Sequence, residues 1–289
     1  LNLIMSNIRS IFLVDKKSYI QNNCYQSQLY EAFRFGYEIR LVELIPSNLL
    51  NIKKIIINLD YYDQIISVVR LRNLYKYIKI IKDFAGDIPF KIYDQDPWEN
   101  YRDNSPIKGV YKQFQNNFNL KGVYVTAPFW ANKLKKDGLP AHFVKMGMLP
   151  KYCDSGKDYN LRPTNLGFCG TLHEHRKIAL KKLDLLNIEV KIKTPNLNYY
   201  QYLDYLHTLK IFFHDESEIP WICDGEEISR STGMWIKSIE VAARGTFCIR
   251  NIHKEGEAYN LSKIPLINCY SDIDQFPEIL NMINNMNFD

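Results

Sequence analysis

Uninterrupted apolar stretches are scarce in this chain: Asp, Lys or Arg breaks every candidate before it reaches the roughly 18 residues a bilayer span needs. Cysteine is sparse too. Cys24, Cys153, Cys169, Cys223, Cys248 and Cys269 lie far apart, form no CxxC pair and share no zinc-type spacing with histidine. That excludes a zinc module and a disulfide framework, and points to reduced thiols. The opening residues, Leu1-Asn-Leu-Ile-Met-Ser6, lack the apolar core and small-residue cleavage site of a secretory signal. From these absences the expectation is a cytoplasmic protein.

What is present is globular. Hydrophobic residues at 46% and charged ones at 24% exclude a disordered chain, a collagen-like repeat and a supercharged tail. A length of 289 residues predicts two domains or one large one. The net charge of +5 is unevenly placed: residues 1–150 hold 21 basic against 13 acidic side chains, and residues 151–289 hold 16 against 19. Most of the surplus falls in 101–150, with eight basic and two acidic residues. A basic half favours an anionic partner: a phospholipid surface, a lipid-linked phosphate or nucleic acid.

Short β-branched runs alternate with longer amphipathic ones. Strands are expected at 10–15, 38–44, 64–70, 90–93, 122–126 and 142–145, with helices near 25–35 and 73–84 and one opened by Pro128. A polar stretch, Lys157 to Thr164, reads as a linker. The pattern then restarts with strands at 166–169, 188–192, 210–213, 246–250 and 265–269. Helices are expected near 175–186, 199–206 and 233–243, and a last one from about Asp274. Alternation of this kind implies parallel sheets covered on both faces. The expected fold class is therefore α/β: two Rossmann-like domains, 1–150 and 151–289, facing a central cleft, with the last helix placed to pack back on the first domain.

The strongest local signal is Ser231-Thr-Gly-Met-Trp-Ile-Lys237-Ser-Ile-Glu240-Val-Ala-Ala-Arg-Gly245-Thr-Phe-Cys-Ile-Arg250. A Ser/Thr/Gly turn opens a helix, Lys237 and Glu240 share one face, and Gly245 suits the left-handed cap before a strand. Free amides at such a helix start, with a lysine nearby, can hold a diphosphate. The string resembles the Lys…Glu…Ala…Gly…Val-Ile segment of GT-B glycosyltransferases, in the group with retaining family-4-type and spore-maturation (CgeB-like) members. Leu166-Gly-Phe-Cys-Gly170-Thr-Leu-His-Glu-His-Arg176-Lys177 resembles that group's opening strand and glycine turn, and Met146-Gly-Met-Leu-Pro150 its segment before the interdomain linker.

The resemblance implies that Glu240 binds the donor ribose, that Ser231, Thr232, Gly233 and Lys237 surround the diphosphate, and that Gly170, Thr171, Arg176 and Lys177 form its opposite wall. Where many family-4-type enzymes carry a second glutamate near the sugar, this chain has Thr232; Asp224, Glu226 or Glu227 could substitute. Read without the resemblance, Lys237 and Glu240 are an exposed ion pair, and Arg176 and Lys177 ordinary helix-start cations. The loop His214-Asp-Glu-Ser-Glu-Ile-Pro-Trp221-Ile-Cys-Asp224-Gly-Glu-Glu227 follows an expected strand and should line the cleft as an acidic rim, satisfied by sugar hydroxyls rather than a cation. His173, His175 and His214 lack metal spacing and read as helix-start or surface residues, with a catalytic histidine the minority reading.

A second constellation, Tyr93-Asp94-Gln-Asp96-Pro97-Trp98-Glu99-Asn-Tyr101, ends a strand of the first half. Asp96 or Asp94 could be the general base on an acceptor hydroxyl. Asp94-Gln-Asp96 also reads as the DxD of metal-dependent GT-A enzymes, and equally as a loop carboxylate capping Trp98 and Tyr101. The expectation is a glycosyltransferase of cell-surface polysaccharide or glycoconjugate synthesis. Asp96, Lys237 and Arg176 would be catalytic, the co-substrate a nucleotide-diphosphate sugar, the acceptor saccharide or lipid-linked. Fixed cations would take a metal's task, so no cofactor is expected. An enzyme acting on modified bases in DNA, a GT-A enzyme using Asp94 and Asp96, and a non-catalytic nucleotide-sugar binder are the competing readings. An anionic membrane surface is a further expected partner.

Overall fold

The structure is a computed structural model that describes residues 8–15, 24–44, 61–193, 197–216, 219–232, 236–252 and 254–286. The chain forms two compact units, Leu1–Val144 with Ile222–Glu226, and Lys145–Trp221 with Glu227–Asp289. Strands of the first unit are β1 (Ile8–Val14), β2 (Tyr37–Glu43), β3 (Gln64–Ser67), β4 (Phe90–Asp94), β5 (Leu120–Val125) and β6 (Ala141–Phe143). They form one parallel sheet in the order β2-β1-β3-β4-β5-β6. Strand β3 is buried along its whole length and β1 from Ser10 onward, which is why these segments read as continuous apolar runs rather than alternating ones.

The second unit repeats the plan with β7 (Thr164–Cys169), β8 (Lys191–Lys193), β9 (Leu209–His214), β12 (Phe247–Asn251) and β13 (Ile267–Tyr270), in the parallel order β13-β12-β9-β7-β8. Strands β10 (Trp221–Cys223) and β11 (Glu226–Ile228) form a separate hairpin. Alternate residues of the central strands, Leu166 and Phe168, Ile211 and Phe213, Phe247 and Ile249, face one core. Ala179 and Leu183, one turn apart on the helix Glu174–Leu185, cover that face, as do Phe276 and Ile283 of the last described helix, Phe276–Asn284. That helix therefore belongs to the second unit's own core. No helix among the described residues is long and apolar enough to cross a membrane.

Most expected strands and helices are found within a few residues of their predicted bounds. The helix Val110–Asn117 was not expected. It is eight residues long, rich in Gln and Asn, and buries only Val110, Tyr111 and Phe114; so short an apolar face gives a weak 3.6-residue period. The hairpin β10–β11 was missed as well. Its two-residue turn, Asp224-Gly225, has positive φ at both positions (52° and 78°), the combination a type I′ turn requires. The Asp-Gly pair itself is a turn signal the sequence does carry, although the strand after it, Glu226-Glu-Ile228, has no apolar alternation to mark it.

The stretch expected to be a polar linker is anchored rather than loose. Arg162 is buried, and its guanidinium donates to the carbonyls of Lys157, Leu209, Ser155 and Arg244 and to Thr246 Oγ1. Gly245, at φ 66°, closes this nest: a Cβ there would stand 2.9 Å from both Arg162 Nη2 and Ser155 O. Substituting Arg162→Met leaves several buried carbonyls unsatisfied and should cost about 3 kcal/mol. Gly245→Ala should destabilise in the same direction, because both the backbone and the space are unsuited to a side chain. Urea midpoints of the two variants against the wild type check both.

Candidate active site

In both sheets the strand order reverses beside the first strand, between β1 and β3 and between β7 and β9. Carboxyl ends of strands on either side of such a reversal diverge and leave a crevice where α/β sheets bind ligands. In the second unit this point is formed by Cys169-Gly170-Thr171 after β7 and His214-Asp215-Glu216 after β9.

Gly170 is buried, and the space a side chain would fill is bordered by two cations. A Cβ on Gly170 would lie 3.2 Å from Lys237 Nζ and 3.6 Å from Arg176 Nη1. Lys237, on the helix Lys237–Ala243, donates to Cys169 O at 2.9 Å and rests over the rings of Tyr202 and Phe212, 5.5 and 5.9 Å from their centroids. Its pKa is lowered, first by burial and then by the Arg176 charge, with Glu240 opposing. Arg176 donates from Nη1 to Thr171 O at 2.8 Å and from Nε to Glu216 Oε1 at 3.2 Å, with Nη2 closing on the same oxygen. Glu240 is buried on the helix that carries Lys237.

The acidic loop after β9 supplies the anchor of this arrangement, and its Glu216 meets a cation, Arg176, where sugar hydroxyls were expected. Glu216 is 2% exposed and also accepts from His175 Nε2 at 2.9 Å; His214 Nε2 lies 3.3 Å away. Both histidines are buried, correcting the surface reading. Burial alone would raise the Glu216 pKa; hydrogen bonds from His175 and His214 and the Arg176 charge overcome it and hold the carboxyl well below its usual range. Burial likewise pushes His214 down to about 3, against the raising effect of Glu216, so the ring is neutral. Ser238 Oγ lies 3.1 Å from His214 Nδ1 and accepts from Arg250 Nη1 at 2.7 Å. Among the described residues no group of three His, Cys, Asp or Glu is arranged to hold a metal ion.

Other expected site residues stand apart. Lys177 is exposed and pairs with Glu174 at 3.4 Å on the outer face of its helix, because three residues along a helix bring those two together. Thr232 directs both its amide and its hydroxyl to Ser229 O, within the turn Arg230–Thr232, so neither is offered to a ligand. The helix expected from Gly233 begins at Lys237; Gly233 and the Ser231 side chain lie outside the described residues. Asp224 belongs to the first unit, paired with Lys108 at 3.0 Å and Lys133 at 2.9 Å, and Glu226 and Glu227 are exposed.

In the first unit Asp94 is buried, accepts from Tyr111 and from the Asp96 amide, and is pushed up to about 7 by burial and the neighbouring Asp96 charge. Half-buried Asp96 is also raised, chiefly by burial, with Arg70, the Trp98 indole and Arg72 pulling it back. The two carboxylates are therefore not a matched chelating pair, since both Asp94 oxygens are already engaged. Asp15, at the β1–β3 reversal, was not singled out by sequence; it accepts from Gln26, Asn73 and the Arg70 amide.

No family model matches the chain, and no curated protein matches it in sequence. Solved structures do. A UDP-forming α,α-trehalose-phosphate synthase from Burkholderia vietnamiensis is 8% identical, covering 98% of this chain and 92% of its own at a TM-score of 0.58. The Burkholderia xenovorans enzyme in complex with glucose-6-phosphate is 8% identical over 97% and 93%, TM-score 0.56. A trehalose-6-phosphate structure from E. coli, bound with UDP-2-fluoro glucose, is 8% identical over 96% and 92%, TM-score 0.55. The fold is GT-B. Within that GT-B fold, the Gly170 turn follows β7 at the reversal of the second Rossmann-like sheet, and the Lys237 side chain reaches it through the Cys169 carbonyl.

The two perturbed groups give opposite pH slopes. His214 binds its proton in the unfolded chain below about 6.5 and in the folded chain only near 3, so its contribution makes stability rise with pH across that window. Asp94 keeps its proton in the folded chain up to about 7 while the unfolded chain releases it near 4, so its contribution makes stability fall with pH there. Removing one should unmask the other. Between pH 5.5 and 6.5, Asp94→Asn should gain a positive slope of about 1.4 kcal/mol per pH unit relative to wild type, and His214→Gln a negative one of smaller size. Urea midpoints across that range decide it.

Proposed function

We propose that the protein is a glycosyltransferase using a nucleoside-diphosphate sugar, a UDP-sugar in the first instance. The observation that carries the reading is the meeting of Lys237 and Arg176 beside a glycine at the sheet reversal. Two half-buried cations drawn to one glycine repel each other, and a diphosphate between them would reverse the sign of that interaction. Glu240, one turn beyond Lys237, is assigned the ribose hydroxyls, in keeping with the family-4-type and CgeB-like resemblance of that string. Support also comes from the similar structures, which are UDP-forming or hold a UDP-sugar derivative.

In this reading the second unit holds the donor and the first unit the acceptor, a saccharide, sugar phosphate or lipid-linked glycan of surface-polymer synthesis. The acceptor oxygen bonds to the anomeric carbon as the bond from that carbon to the diphosphate breaks. Arg176 and Lys237 take up the charge on the departing diphosphate, and Asp96 accepts the hydroxyl proton; its raised pKa suits a base that must hold a proton. Fixed cations stand in for a divalent metal in this scheme. Part of the basic stretch that suggested DNA or an anionic membrane is already neutralised, since Lys108 and Lys133 are tied to Asp103 and Asp224.

Calorimetry with UDP-glucose should show Kd raised at least about tenfold, or about 1.4 kcal/mol, in Lys237→Ala and Glu240→Gln, and changed less than about twofold in Lys177→Ala. Asp96→Asn should keep donor affinity and lose transfer about a hundredfold in a UDP-release assay with an acceptor panel. EDTA should leave both readouts unaltered. Wild-type affinity in Lys237→Ala would contradict the donor site; tight binding with no transfer to any acceptor would make the protein a nucleotide-sugar binder instead.

A further inference from the structure

Glu216 has no task in the scheme above, yet it is the most heavily engaged buried group in the second unit's site. Its Oε2 accepts from His175, its Oε1 from Arg176 Nε and Nη2, and its backbone amide donates to Asn251 Oδ1 at 3.1 Å. His214 reaches it through a directed relay. The ring is neutral, and its Nε2 lies 3.3 Å from Glu216 Oε1, a carboxylate oxygen that can only accept; the ring proton therefore sits on Nε2 and Nδ1 faces Ser238 Oγ, which accepts from Arg250. Three side chains thus fix one carboxylate, and of these only Arg176 extends to Gly170.

Arg176 is held on three sides. Nε and one Nη2 proton go to Glu216, one Nη1 proton goes to Thr171 O, and the guanidinium plane lies over Phe168, 5.7 Å from the ring centroid. Of the five N–H groups of a guanidinium, one on Nη1 and one on Nη2 are left for a ligand. A buried ion pair adds little to stability over an apolar pair of similar size, so the outlay of three donors on Glu216 is better explained by geometry than by folding.

We propose that Glu216 is a positioning residue for the donor diphosphate: it clamps Arg176 side-on so that Nη1 stays beside Gly170 and Lys237, with its remaining N–H groups aimed at phosphate oxygens. The proposal rests on the donor-site reading. It differs in sign from the simpler role of a counter-charge, which would weaken anion binding by cancelling Arg176 and whose removal would tighten it.

The test uses UDP by calorimetry and uridine by saturation-transfer NMR on the full chain. Glu216→Gln preserves shape and removes the clamp's charge; Kd for UDP should rise about tenfold while uridine binding is unmoved, a split that general loosening of the fold would not produce. Unchanged or tighter UDP binding overturns the proposal, as does an equal loss for UDP and uridine. Should Glu216→Gln fail to fold, Arg176→Lys decides: it keeps the charge and loses the side-on fork, so about a tenfold loss for UDP supports the clamp and a change within twofold overturns it. Lys237→Ala run alongside separates the two ideas. If it binds UDP like the wild type, the donor site is elsewhere and both readings fall; if it weakens UDP while Glu216→Gln does not, only the clamp falls.

Discussion

Repulsion between two half-buried like charges shapes the second unit's site. Lys237 and Arg176 are brought to one glycine from different elements, the helix after the turn Arg230–Thr232 and the helix after β7. Left alone, that pairing would push the helices apart. Glu216 offsets it on the Arg176 side, while Lys237 is held by the Cys169 carbonyl and two aromatic faces and keeps a lowered pKa. Gly170 has to be glycine for a related reason: any side chain would press on the lysine ammonium and on Phe168. The site is therefore built to tolerate positive charge at close quarters, which is the condition under which an anion becomes a structural partner.

The first unit is organised on the same sheet order but with opposite electrostatics. Its buried acids, Asp15 and Asp94, are each satisfied by hydrogen bonds rather than by an ion pair, and Asp94 is held in the protonated form near neutrality. Asp96, two residues on, is the more exposed of the pair and has arginines on its side. Neighbouring carboxylates in one loop thus differ in role because one is enclosed and the other faces Arg70 and Arg72.

Gly170, Arg176 and Lys237, which the structure brings together, each lie in a local motif whose spacing has a geometric meaning: strand then glycine turn, or the face of a helix. The sequence places the loop His214-Asp215-Glu216 beside the site as an acidic rim, but not its pairing with His175 and Arg176, since nothing in a linear reading says which side chains of the end of β9 and of the helix after β7 meet. That juxtaposition is a property of strand order, visible only once the sheet is assembled. Thr232 and Lys177 differ from these: in the structure each is engaged by a local partner, Ser229 and Glu174. Sheet periodicity carried nearly all of the fold. The eight-residue Gln/Asn-rich helix and the Asp-Gly hairpin escaped because neither buries enough apolar surface to leave a period.

That hairpin has a consequence for dissecting the molecule. Ile222–Glu226 is distant in the chain from the rest of the first unit, yet Asp224 bridges Lys108 and Lys133 there, Gly225 donates to Asp103, and Cys223 pairs with Arg102 as an isolated antiparallel bridge. A gene cut at the obvious midpoint would yield an amino-terminal half missing a borrowed piece, with Lys133 stripped of its carboxylate and Lys108 left with Asp103 alone, and a carboxyl-terminal half carrying a stray β-turn. Halves intended for separate expression would need the pentapeptide grafted back, by circular permutation or a short loop.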